Sequence, residues 1–415
     1  MASQPTSRPE AILPPRSEVG VIGWLHANLF SSLLNSVLTL VSGALLLLGL
    51  WFGLKWIFFA ADWTVISELG GRFLLGRYNT EAACDGQNCF WRPQAALIMV
   101  SVLLGAAWGL RSNQVARTIA WLVAGVSAAF AFLPYSLETM GLDVRILLLL
   151  NLPAVPLGWA LARYTPLGTG TRITILGVAI FFITLILMRG LPGLPFLQPV
   201  SVVYWGGLSL NLILAVGGIT LSLPIGISLA LGRRSNLPVV KVLCIFFIEV
   251  FRGVPLITLL FMSQTLVPLA FPEDMPQNSL FRAAVVITLF SSAYMAENIR
   301  GGLQALHPGQ AEAARALGLP GWQTTLLISL PQAIRNVIPA IVGQFIGLFK
   351  DTSLVYIIGM LDVVAIGRSF IQSNPEFLPS ARELFVFLAA VFWIFTYGMS
   401  YVSGKVEDYL GVGIR

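Results

Sequence analysis

Three pairs of opposite charges interrupt long apolar runs in this chain, and they are the residues best suited to handle a polar solute inside a membrane. Glu249 and Arg252 lie in CIFFIEVFRGVPLITLLFMSQ, Glu297 and Arg300 in SSAYMAENIRGG, and Lys350 beside Asp351 in IGLFKDTSLVYIIG. A charge carried into a span costs about 2.5–3.5 kcal/mol, so a helix that retains one usually turns it to an interior or aqueous face. Ser263 and Gln264 follow the first pair, and Thr352 and Ser353 follow the third. Glu249, Arg252, Ser263, Gln264, Glu297, Lys350, Asp351, Thr352 and Ser353 could offer donors and acceptors to a zwitterionic solute and are the expected substrate path. The competing reading is structural, with each pair neutralising itself between helices. Pro255, three residues after Arg252, can interrupt helical hydrogen bonding and expose carbonyls, as in transporter helices around a binding site.

Other chemistry is poorly supplied. Among 415 residues there are two histidines and three cysteines, with no dense acidic cluster and no GxxxxGK[ST] loop to hold nucleotide phosphates. His26 lies near a tail and His307 beside a loop proline, neither placed for general-base work. No enzyme activity, no metal and no cofactor bound by this chain are expected. Cys84 and Cys89, in CDGQNC, can close a small disulfide loop in an oxidising compartment; two free thiols are the alternative. Cys244 lies within a span as a packing residue.

The elements that must position these residues follow from composition. Charged residues are 11% of the chain and apolar ones 56%, with a mean hydropathy of +0.82. A soluble domain carries about 25% charged residues, so much of this surface must face lipid. The +6 balance comes without any basic run, which argues against nucleic acid. Apolar runs at about 36–61, 93–110, 118–134, 145–162, 173–189, 205–231, 242–270, 282–299, 336–360 and 383–404 predict an all-α integral membrane protein of about ten spans. The loops RSNQVAR, RYTPLGTGTR and RRSNLPVVK carry basic residues and no acid, which places them and both termini in the cytoplasm. Residues 1–35 read as a cytoplasmic tail, 36–200 as a five-span region with an external loop at 62–92, and 201–410 as a second five-span domain.

One cytoplasmic segment, about 300–335, is unusually ordered. Pro308-Gly309 opens an Ala-rich helix over Gln310–Leu317, Gly318 can take the left-handed conformation that closes it, and Pro320 starts a second helix expected to end before Pro331. Two short helices at an angle make a knob. Ala311, Ala313 and Ala314 would let another protein approach closely, and Glu312 offers a charge for register. An ion-coupled secondary carrier using Glu249 and Asp351 would have no need of such a knob.

Glu312-Ala313-Ala314, three residues, Gly318, nine residues, then Ile328-x-Leu330-Pro331 resembles the signature loop of permease subunits in binding-protein-dependent ABC importers. FIEVFRGVPL, YMAENIRGGLQAL and LFKDTSLVYIIG are similar to the polar amino acid branch in particular. The resemblance covers about residues 201–410. It implies a type I permease core of five spans, in which Gln310, Glu312, Ala313, Ala314, Gly318, Ile328, Leu330 and Pro331 couple to the ATPases. It implies two cytoplasmic ATP-binding subunits that hold ATP and Mg, a periplasmic solute-binding protein that delivers L-amino acids, and a bacterial inner membrane location. The chain has some 200 residues more than the usual branch member. Long members resemble the permeases of general L-amino acid importers, where two non-identical permeases pair; this implies a heterodimer of broad or polar specificity. The resemblance assigns no role to the first five spans.

Overall fold

The computed structural model describes residues 20–79, 89, 91–111, 114–133, 142–164, 170–194, 197–270 and 278–411. It divides into two compact units, Met1–Asp62 and Trp63–Arg415. The described residues between 63 and 200 fall in the same compact unit as the second half of the chain.

In the first unit, α1 (Gly20–Asn28) leads by a short turn into α2 (Leu33–Lys55), which runs on as a π-helical turn, Trp56–Ala60. Ser32 caps α2 by accepting from the Asn35 N–H at 3.2 Å. No residue of α2 is buried, as expected for an apolar helix surrounded by lipid.

The second unit opens with two short helices, α3 (Thr64–Leu69) and α4 (Arg72–Leu75). Next come α5 (Trp91–Arg111), α6 (Gln114–Ala131), α7 (Leu142–Leu149), α8 (Asn151–Tyr164) and α9 (Gly170–Arg189). The backbones of α5 and α8 approach so closely that a Cβ at Gly105 or Gly158 would meet a carbonyl oxygen at about 2 Å, the small-residue packing favoured in membranes. The remaining helices are α10 (Gly207–Arg233), α11 (Pro238–Gly253), α12 (Leu256–Ala270), α13 (Ser279–Gln304), α14 (Gly309–Ala316), α15 (Gly321–Gln323) and α16 (Leu330–Asp351). A two-residue strand, β1 (Leu361–Asp362), then precedes α17 (Val363–Ser373) and α18 (Ala381–Leu410).

Eight helices among the described residues are long and apolar enough to cross a membrane, and α11 with α12 makes a ninth as a bent pair. The shorter apolar stretch Ile175–Arg189 fills the fifth expected position. The bend between α11 and α12 is 103°, so the run 242–270 is no straight span. Pro255 has no N–H for a helical bond and holds Val254 extended, at φ −106° and ψ 132°.

The core of this unit is shared. Val65, Ile66, Leu69 and Phe73 from α3 and α4 join one apolar cluster with Leu210, Phe349 and Val363. The Phe73 ring lies 5.0 Å from Phe387 of α18 and 5.8 Å from Phe130 of α6. A backbone crossing fixes the same place: Gly76 bridges Trp205, while Gly206 and Gly207 bridge Leu361 and Asp362. Gly207 has φ +59°, and a Cβ there would meet the Phe73 carbonyl oxygen at 2.5 Å. Burial pushes the Tyr78 phenol up to about 12, and its hydroxyl donates to the Met188 carbonyl at 2.8 Å.

Candidate functional site

The expected coupling loop is a closed local structure. In α14, Glu312 lies in the first turn, where a carboxylate complements the helix dipole. Gly318, at φ +83°, ends the helix: its N–H donates to the Arg315 carbonyl at 2.9 Å, and the Leu319 N–H reaches the Ala314 carbonyl at 3.1 Å. These paired bonds form a Schellman motif, which the left-handed glycine permits. Gln310, Glu312 and Ala313 face outward, while Ala314 is buried, so the accessible surface differs from the expected stripe of three alanines. Large apolar side chains extend that surface; Leu317 is 81% and Trp322 64% exposed. The expected helix end before Pro331 is not found. A π-helical turn, Thr324–Ser329, carries the chain into α16 with Ile328 and Leu330 half-buried, and Pro331, which has no N–H to donate, sits just past that turn within one continuous helix.

The knob marks one end of the bundle, and the charges nearest to it form a single node. Glu297 accepts from Arg233 at 2.6 Å and from Arg300 at 2.8 Å, with Arg252 at 3.7 Å. Glu249 lies 3.4 Å from Arg233. Glu249 and Arg252 therefore bond to partners on other helices rather than to each other, because α10, α11 and α13 bring five charges within reach of one another. Arg233 was legible in the sequence only as a basic loop residue. The Glu297 side chain is 14% exposed and that of Glu249 is 56%, so the first anchors the node and the second borders it. Three guanidiniums against two carboxylates leave one net positive charge.

The other polar residues lie far from this node. Gln264 accepts from Arg282 at 2.7 Å, tying α12 to the start of α13. Arg282 and Glu297 are 15 positions apart on α13, about 22 Å along the axis. Ser263 donates to the Leu260 carbonyl of its own helix at 2.7 Å. Thr352 is fully buried; it donates to the Phe349 carbonyl at 2.7 Å and accepts from Asn211 at 3.0 Å. Ser353 likewise donates to the Lys350 carbonyl at 2.8 Å. Lys350 is exposed and Asp351 half-buried, and no ion pair between them is found among the described residues.

Asn211, unexceptional within its apolar run, links three segments at the distal end. Its carbonyl oxygen accepts from the Val363 N–H at 3.0 Å while its amide holds Thr352, joining α10, the end of α16 and α17. Asp362 caps α17, accepting from Ala365 at 2.9 Å and Val364 at 3.1 Å. Burial pushes its carboxyl up to about 6, with those N–H groups and Asn211 pulling the other way. Asn211 and Arg233 are 22 positions apart on α10, about 33 Å. The expected substrate-path residues thus fall into separate groups and do not form one site. Cys84 lies outside the described residues. Cys89 is disulfide-bonded and buried beside Tyr78, Met188 and Trp205, whereas Cys244 is a free thiol.

Residues 222–404 match the family described as "Binding-protein-dependent transport system inner membrane component". The chain is 34% identical to the glutamate/glutamine/aspartate/asparagine transport system permease protein BztC of Rhodobacter capsulatus, in an alignment covering 96% of each chain. It belongs to this permease family. It is also 49% identical, over 52% of its length, to the inner membrane amino-acid ABC transporter permease protein YhdY of Escherichia coli, spanning 59% of that relative. Among solved structures, an amino acid ABC transporter crystallised with histidines aligns with 49% of this chain at 30% identity and a TM-score of 0.44. Membership makes the chain a multi-pass ABC importer permease and sets aside the ion-coupled carrier.

Proposed function

We propose that this chain is a permease subunit of an ATP-driven amino acid importer, moving L-amino acids of the glutamate, glutamine, aspartate and asparagine class. The observation that carries the reading is the near full-length alignment with a permease named for those four substrates, which extends through residues 63–200 as well as the core. In this reading the chain catalyses no reaction, and ATP and Mg are held by two partner ATPases. A second, non-identical permease completes the pathway, and a periplasmic binding protein delivers solute. The knob end then faces the cytoplasm of a bacterial inner membrane, with both termini on that side, and the distal end faces outward. Glu312, Gln310 and the exposed apolar residues of the knob seat in a groove of one of the ATPases, so that closure of the ATPases moves α13 and α16.

Two variants test the coupling. Glu312→Lys reverses the one acidic charge of α14, and Gly318→Val forces a β-branched residue into the left-handed region. Both are expected to lose ATPase copurification and ATP-driven uptake, and Glu312→Lys is expected to do so while the purified chain keeps its melting temperature. Normal copurification and uptake in both would overturn the assignment. Competing labelled uptake with each of the four amino acids tests the substrate class; failure of all four to compete would overturn it.

A further inference from the structure

Residues 63–79 form one wall of a cleft at the distal end, opposite α17 and the turn Pro375–Phe377. Glu68 and Arg72 stand on one side, with Asn374 and Glu376 on the other, around about 380 Å³. The floor is the Phe370–Phe377 pair, ring centroids 5.5 Å apart. A second lobe of about 240 Å³ runs past Arg72 toward Arg77 and Ser373. Among the described residues, Glu68, Arg72 and Glu376 close no ion pair, although both signs face one space.

Opposite charges held around a ligand-sized gap without collapsing onto one another suit a ligand that carries both. An α-amino acid does so across one carbon, its carboxylate to Arg72 and its ammonium to Glu68 or Glu376. A simple anion would meet two carboxylates, and a simple cation would meet the guanidiniums of Arg72 and Arg77. The cleft is also preformed. The Gly76–Trp205 and Gly206–Leu361 bridges hold the first wall, and the Asp362 cap with Asn211 holds α17. Preformed sites avoid the ordering cost of assembly. The charged walls are exposed, so water weakens each contact and affinity is low.

We infer that this cleft is a low-affinity outer binding site for a free zwitterionic α-amino acid, contributed jointly by the N-terminal region and the permease core. The ligand class rests on the proposed function, whereas the site rests on the cleft and its charges.

The test is equilibrium binding of labelled L-glutamine and L-glutamate to the purified full chain in lipid nanodiscs. Glutarate and butylamine serve as single-sign controls. Saturable binding on the order of millimolar is expected for the amino acids alone. Arg72→Ala and Glu376→Gln should each weaken it about tenfold, the scale of one charged hydrogen bond. Ser373→Trp, obstructing the cleft, should abolish binding while Ser373→Ala retains it, all with wild-type melting temperatures. No saturable binding, equal affinity in every variant, or equal binding of glutarate would overturn the inference. Uptake by the assembled transporter separates the two readings. Cleft binding without any uptake would overturn the importer assignment alone, and uptake without cleft binding would overturn the site alone.

Discussion

The two ends of α10 are held by different physics. At the knob end, Arg233 enters a cluster of five ionised side chains, partly wet and arranged by charge. About 33 Å away, Asn211 and the Gly206-Gly207 crossing are dry and held by directional hydrogen bonds and backbone contact. Charge pairs in a partly wet site can exchange partners at small cost, because water and neighbouring ions substitute for a lost contact. Buried amide bonds cannot, since each orphaned group costs about 1–3 kcal/mol. A helix anchored in these two ways is fixed at one end and adjustable at the other, as the proposed coupling through the knob would require.

The largest expected break in this comparison is Gly207→Ala. The substitution places a Cβ about 2.5 Å from the Phe73 carbonyl oxygen at a positive φ, so backbone must move and cannot be relieved by a rotamer. Strain of this kind costs about 3–4 kcal/mol with the lost bridge included. The control is Gly347→Ala in α16, where the new methyl meets nothing within 4 Å and helix propensity favours alanine by up to about 1 kcal/mol. Thermal unfolding of both variants should show a large loss for the first and none for the second.

Asp362 sharpens the distal half of the comparison through pH. Its carboxyl is pushed from 3.8 up to about 6 by burial, so below 3.8 it is protonated folded or unfolded and contributes nothing. Between 3.8 and about 6 the unfolded carboxyl ionises while the folded one keeps its proton, so stability falls as pH rises. Above about 6 the loss is complete, on the order of 2–3 kcal/mol. Unfolding temperature should therefore rise as pH is lowered from 7 toward 4, and Asp362→Asn, which keeps a capping oxygen and has no charge to lose, should flatten that slope. An unchanged slope in Asp362→Asn would assign it to other groups.

The difference between the ends also governs what could be read from sequence. The spans were legible because hydropathy registers lipid contact without knowledge of neighbours. The knob was legible because Pro308 and Gly318 impose local rules on either side of a polar, Ala-rich turn. Charge pairing was half legible: Glu297 with Arg300 is a local i,i+3 pair, but the bonds of Glu249 and Arg252 run between helices and depend on packing. The distal end was opaque. Asn211, Gly206 and Gly207 sit in an apolar run where one amide and two glycines look unexceptional, and their roles appear only when α4 and β1 arrive from 130 or more positions away on either side. The continuation of helix through Pro331 is not legible locally, because a π turn absorbs the register that a proline would otherwise break.

The smallest effects lie in the charge node, and salt distinguishes its members. In the wild type, added salt screens net attraction around Glu297 and should lower stability slightly, since the Debye length falls from about 10 Å at 0.1 M to about 3 Å at 1 M. Glu297→Gln leaves three guanidiniums facing one exposed carboxylate, so the node becomes net repulsive and the sign of the salt effect should reverse. The expected cost at low salt is about 1–2 kcal/mol, reduced by the partial exposure of the arginines. Glu249→Gln removes a half-exposed carboxylate 3.4 Å from an arginine that keeps its 2.6 Å partner, so it should cost under about 0.5 kcal/mol and leave the salt response as in the wild type. If both variants responded alike to salt, Glu297 would hold no special place among the charges, and the contrast between an adjustable end and a fixed one would rest on the distal end alone.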